Sequence, residues 1–177
     1  MSEEPKEPWL NYLALSTILL AVCATMATFR GGGASTRSVM SQAQASDKWA
    51  HYQAKSVKSN LYEMSLATAE LELQTRTGMP GGVVAAYEKK LASDRAKVAK
   101  YEQEKEQLQA EAKALEKARD DAQRHGREFG IAVIFLQISI LLCSIAALLK
   151  KKPVWVVGMA VGLVGVVYFL NGFLLFL

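Results

Sequence analysis

The chain has 177 residues, of which 51% are apolar and 21% charged, with a formal net charge of +4. A soluble domain intermixes these classes. Here residues 9–29, 129–149 and 154–177 contain no Asp, Glu, Lys, Arg or His, while 34–128 hold 16 of the 21 basic and 14 of the 17 acidic side chains. That segregation excludes a compact soluble enzyme and points to an all-α membrane protein: three transmembrane helices with a long polar helical hairpin between the first two.

Residues 1–8 form a short acidic tail. Trp9 to Phe29 follows, 21 residues with Trp9 and Tyr12 at one end and Arg30 closing the other. An apolar helix of ~20 residues spans a hydrocarbon core of ~30 Å, and amphipathic rings favour its edges. Buried core helices are the alternative, but nothing else in the chain could cover three such surfaces. The acidic flank argues against a cleaved signal peptide, which needs positive charge there. Arg30-Gly31-Gly32-Gly33 should then interrupt the helix, because successive glycines cost helix stability.

The polar domain, 30–128, has almost no strand signal. Its one dense cluster of turn residues is Gly78-Met79-Pro80-Gly81-Gly82, and proline there breaks a helix. The cluster divides the domain into arms of 44 residues (34–77) and 46 residues (83–128). The second arm carries a heptad repeat. One column is Val84, Leu91, Val98, Lys105, Ala112 and Arg119; the other is Tyr87, Asp94, Tyr101, Leu108, Leu115 and Ala122, continued by Phe129. The first arm repeats through Met40, Ala43, Ala50, Ala54, Val57, Leu61, Met64 and Leu71, with Asp47, Thr68 and Thr75 as polar exceptions. Two such seams joined by a tight turn predict an antiparallel coiled-coil hairpin. Asp94, Lys105 and Arg119 are expensive in a dry seam and imply a partly wet or register-setting interface. Alanine-rich seams bury little, so self-association into a homo-oligomer is expected.

The second span, 129–149, is stopped by Lys150-Lys151-Lys152. Gly126 and Gly130 stand singly before it, so this helix is expected to run unbroken from Val83 to Leu149. After the loop at 150–153 comes the third span, 154–177. Basic short loops stay cytoplasmic. The lysine loop therefore places itself and the N-terminus inside, with the hairpin extracytoplasmic; the acidic tail, Arg30, Arg119, Arg124 and Arg127 argue the other way. Gly158, Gly162 and Gly165 form a small-residue face for helix packing in the membrane.

No phosphate loop, dinucleotide fingerprint, HExxH or Cys-x-x-Cys is present, so no catalytic residue, metal site or cofactor is assigned. Cys23 and Cys143 fall at different depths and read as packing residues. His51 and His125 are too far apart in the hairpin to share a metal and read as solvated. The spans lack the carboxylates that active transport needs. The polar domain's net +2 alternates along helical faces, which excludes nucleic acid.

One stretch stands out, Ala45 to Lys58. Helical geometry brings Lys48, Tyr52 and Lys55 together, with Trp49, Gln53 and Ser56 on an adjacent strip. Asp47, Trp49, Tyr52, Gln53, Lys55 and Lys58 are the candidate interaction patch. It would serve packing within or between copies, or docking of a partner membrane protein.

This stretch (Ala45-Ser46-Asp47-Lys48-Trp49-Ala50-His51-Tyr52-Gln53-Ala54-Lys55-Ser56-Val57-Lys58), with Trp9 and Leu13-Ala14-Leu15-Ser16-Thr17, resembles a family of uncharacterised bacterial membrane proteins known as a domain of unknown function. The order of elements matches over nearly the whole chain. The short tail departs from the longer tail rich in His and Glu that relatives often have, so no metal role for such a tail carries over. The resemblance implies a multi-pass protein of the bacterial inner membrane and supplies no activity. The functional expectation is a non-enzymatic, self-associating scaffold with a coiled-coil stalk in the lipid bilayer. The alternative is a small oligomeric channel or an accessory subunit of a membrane complex.

Overall fold

The computed structural model describes residues 8–76 and 78–176. The tail at 1–7, with the expectations placed on it, Thr77 and Leu177 lie outside the described residues. The fold is all-α, with three helices: α1 Pro8–Thr75, α2 Gly81–Leu149 and α3 Lys152–Leu174. No strand occurs among the described residues. Each helix contains a segment long and apolar enough to cross a membrane. The chain divides into two compact units, one built from residues up to 40 and from 118 onward, the other from Ser41–Lys117.

In the first unit α1, α2 and α3 pack through Leu20, Ala24, Ala27, Phe129, Ala132, Leu136 and Cys143. A second cluster joins Trp9, Leu13 and Ala146. Trp9 lies 6.2 Å from the Trp155 ring, and the Lys152 ammonium sits 6.0 Å above Trp9. Small residues set the helix separation. A Cβ at Gly158 would meet Leu142 Cβ at 3.1 Å, at Gly162 Ser139 Oγ at 2.6 Å, and at Gly165 the Leu136 backbone nitrogen at 3.0 Å. The buried Ser139 hydroxyl donates to the Gly158 carbonyl at 2.6 Å, a bond available only at that close approach.

Near the end of α3, Asn171 is fully buried. Its amide donates to Glu128 Oε2 at 2.7 Å, and its carbonyl oxygen accepts from the Phe176 backbone N–H at 2.7 Å. His125 is half-buried, with Nδ1 2.7 Å from the Gly172 carbonyl. Because a carbonyl only accepts, Nδ1 carries the proton. His125 is therefore a packed side chain rather than the solvated one expected; His51 is exposed.

The interruption expected at Gly31–Gly33 does not form, and α1 is continuous through it. The glycines have a tertiary use instead: a Cβ at Gly31 would stand 3.3 Å from Phe129 Cβ, and one at Gly126 3.6 Å from Ala34 Cβ. The two helices cross closely there, and that packing offsets the propensity cost of about 1 kcal/mol per glycine. The expected unbroken second helix is present.

In the second unit α1 and α2 run antiparallel, with side-chain contacts pairing 49 with 116, 59 with 102, 65 with 94 and 72 with 87. α1 ends at Thr75 and α2 begins at Gly81, slightly earlier than the glycine-proline cluster implies, with Gly78 at φ +93°. That left-handed conformation suits glycine.

A pair of substitutions separates packing glycines from open ones. Gly165→Ala forces its Cβ against backbone and should lower the thermal midpoint in detergent, a loss on the order of 1–3 kcal/mol. Gly33→Ala, with nothing within 4 Å of its Cβ, should leave the midpoint unchanged or raise it.

Candidate interaction surface

The α2 face of the helix pair is the one expected from its heptads. Leu91, Asp94 and Ala112 are buried, and Val84, Tyr87, Val98, Tyr101, Lys105, Leu108 and Leu115 are partly covered. The α1 face differs. Met40, Ala43, Ala50, Ala54, Val57, Leu61, Met64 and Leu71 are all exposed, and so are Asp47, Thr68 and Thr75. The covered columns are Ala45, Tyr52, Ser59, Leu66 and Leu73, with Ser41, Lys48, Lys55, Tyr62 and Ala69. At 100° per residue, α1 is turned roughly 150° from the expected seam.

The reason lies in what the α2 face presents. Asp94 and the flanking carboxylates of Glu102, Glu104, Glu111 and Glu116 need donors, and a Met/Val/Leu column has none to give. The polar and aromatic face of α1 supplies them. Ser65 donates to Asp94 at 3.2 Å, the fully buried Ser59 to Glu102 at 2.8 Å, and the Trp49 indole to Glu116 at 2.9 Å. Lys48 pairs with Glu111 and Lys55 with Glu104 at 2.6 Å. The expensive seam residues are thus satisfied, Asp94 by Ser65 and Lys97, Lys105 by Glu102, and Arg119 by its chain neighbour Asp120 at 2.8 Å.

Aromatic rings alternate with these pairs. Tyr62 stacks on Tyr101 at 5.8 Å, the Lys97 ammonium lies 4.6 Å above Tyr62, and Lys55 lies 5.3 Å above Tyr101. Ion pairs and cation–π contacts this exposed are individually weak. With serine, lysine and tyrosine making up much of the covered α1 face, apolar burial adds little.

The candidate patch is thereby split. Trp49, Tyr52 and Lys55 face α2, and Trp49 also meets Tyr52 edge-on at 5.5 Å. Asp47, Gln53 and Lys58 are exposed. Gly158, Gly162 and Gly165 lie together, buried against α2 and, at Gly162, also against Leu20.

What remains outward is an apolar stripe at heptad spacing on α1. Val57, Leu61, Met64 and Leu71 are 59–67% exposed, with Ala50 and Ala54 in the same columns. Beside it a groove of about 610 Å³ is bordered by Leu61, Met64, Thr68, Ala86, Tyr87 and Lys90. Sequence reasoning found these residues but assigned them inward. Among the described residues no group of three or more His, Cys, Asp or Glu side chains could hold a metal ion.

Charge pairing tunes the polar seam. Lys105, with help from Ser59, holds the Glu102 carboxyl below its ordinary range, and Lys55 does the same for Glu104. Their partners raise the Lys55 and Lys105 ammonium groups. The carboxylates' contribution is present above the unfolded value of ~4.3 and fades as pH falls through the depressed folded values. The lysines' contribution is present below ~10.4 and fades as pH rises through the raised ones. Helical circular dichroism in mild detergent should therefore fall off below about pH 4 and above about pH 10.4. Glu102→Gln with Glu104→Gln should flatten the acid limb.

Set against known proteins, residues 9–175 match the model of one family, described as Domain of unknown function (DUF4337). No curated protein and no solved structure matches the chain.

Proposed function

The chain belongs to the DUF4337 family, a domain of unknown function, and we propose from its own geometry that it is a non-enzymatic membrane scaffold that self-associates through a coiled-coil stalk. The apolar segments of α1, α2 and α3 are its three spans, and the Ser41–Lys117 helix pair is the stalk. The observation that carries this reading is the exposed column Ala50, Ala54, Val57, Leu61, Met64 and Leu71. Heptad spacing on a helix already paired along its other face is the pattern of a helix with a second partner.

The partner is a second copy. Copies inserted the same way into one bilayer present their first arms in parallel, and a two-fold axis between them apposes each stripe residue with its own equivalent. From Ala50 to Leu71 the apposed column carries no charge, so nothing in it repels its copy. Gln137, exposed on an otherwise apolar stretch of α2, adds a polar group that lipid would not satisfy and that a neighbouring copy could bond. The α3 glycine face is occupied by α2 within the chain, which favours the scaffold over a channel lined by that face.

In a Cys23→Ala, Cys143→Ala background, Leu61→Cys and Met64→Cys should each give disulfide-linked dimers on oxidation in native membranes. Glu106→Cys, exposed on α2, should not. Leu61→Lys with Met64→Lys should abolish the dimer while leaving helicity intact, since both positions are exposed. A chain that stays monomeric in membranes and in detergent would overturn the reading. Orientation is tested separately: Gly81→Cys should react with an impermeant maleimide in intact cells, and protection there would reverse the assigned topology.

A further inference from the structure

The first unit contains a cavity of about 660 Å³ whose lining changes character from one side to the other. Phe29, Phe129 and Phe173 supply an apolar wall, with Phe129 and Phe173 packed edge to face at 5.0 Å. Arg30, Arg37 and His125 supply the polar side, and no carboxylate is among the lining residues. Neither arginine is ion-paired among the described residues. The Arg30 guanidinium instead lies 5.3 Å above the Phe173 ring. The nearby Glu128 carboxylate is bonded to the Asn171 amide.

The backbone keeps this space open. Arg30 and Arg37 fall at i and i+7 on one face of α1, and of the two positions between their guanidinium stems Gly33 has no side chain and Ala34 only a methyl. Gly31 has a packing role against Phe129, but a Cβ at Gly32 or Gly33 would meet nothing within 4 Å. Two helix-weakening residues with no neighbour to accommodate are explained by the room they leave.

We propose that this cavity binds the phosphate of an anionic amphiphile, with Arg30 and Arg37 on the phosphate oxygens and the phenylalanines against its apolar portion. Guanidinium forks match phosphate oxygens in charge and geometry. The volume falls within the ~300–1,000 Å³ range of small-molecule sites. The proposal rests on the membrane-spanning reading: Arg30 ends the apolar run of α1, which sets the cavity at the depth where lipid phosphates lie. A bilayer phospholipid and free phosphate share this chemistry, and the following measurement separates them.

Delipidated full-length protein in mild detergent is titrated with phosphatidylglycerol, with phosphatidylcholine of the same acyl chains, and with inorganic phosphate, and bound adducts are read by native mass spectrometry. Phosphatidylglycerol should be retained about tenfold more than phosphatidylcholine. Arg30→Gln with Arg37→Gln should remove that preference, and Gly33→Leu should reduce it by filling the space. Lys151→Gln with Lys152→Gln, at the other end of the unit, should leave it unchanged. Retention of inorganic phosphate alone, lost in the arginine variant, supports the phosphate site with a free-anion source. Equal retention of the two lipids without phosphate binding, or a preference that survives both the arginine and glycine variants, overturns it. Circular dichroism of each variant checks folding, and the Cβ that Gly33→Leu adds meets nothing within 4 Å. Carbonate extraction of the native chain reads membrane insertion by itself. An inserted chain with no anion preference defeats only this site, whereas an extractable chain defeats the spanning reading.

Discussion

The need to satisfy Asp94 and the carboxylates beside it governs how the polar helix pair is assembled. A buried or half-buried carboxylate without a donor costs more than a methionine or leucine left in water gains by being covered. The pairing therefore selects the α1 face bearing Ser59, Ser65, Trp49, Lys48 and Lys55. The more hydrophobic face is left outside. The self-association proposed for this chain thus follows from its internal polar chemistry: a seam tuned to hydrogen bonds cannot also hide Val57, Leu61, Met64 and Leu71.

The apolar unit solves a different problem. On the proposed membrane-spanning reading, covering apolar surface within a bilayer offers little driving force, so the helices need close contact and a few well-placed polar bonds. Gly158, Gly162 and Gly165 give the close contact, and Ser139 and Asn171 make the polar bonds. Gly31 and Gly126 repeat the device where α1 and α2 cross. At these positions glycine acts through what it allows to approach, and in the proposed anion site Gly33 acts through what it leaves empty.

Much of this was legible from residue order alone. Charge segregation located the apolar segments, proline and glycine located the reversal, and the α2 heptads Val84 to Ala122 located that helix's inner face. The inner face of α1 was not legible, because its apolar column is a true heptad that stays exposed, while its real seam is chosen by carboxylates some 30 to 70 residues away in sequence. The continuity of α1 through Gly31–Gly33 was missed for a similar reason: local propensity predicts a break, and a contact with Phe129 overrides it. His125 meeting Gly172, 47 positions on, leaves no short-range trace at all.

The reversal between α1 and α2 joins two arms whose inner columns advance together, residue 49 against 116 near one end and 72 against 87 near the other. A deletion in one arm alone would shift every serine, tyrosine and lysine past its acceptor. Removal of one heptad from each arm would preserve all remaining matches. Evolutionary changes in length should accordingly arrive as balanced losses or gains of about fourteen residues centred on the tip, whereas the exposed tip itself can carry an inserted tag.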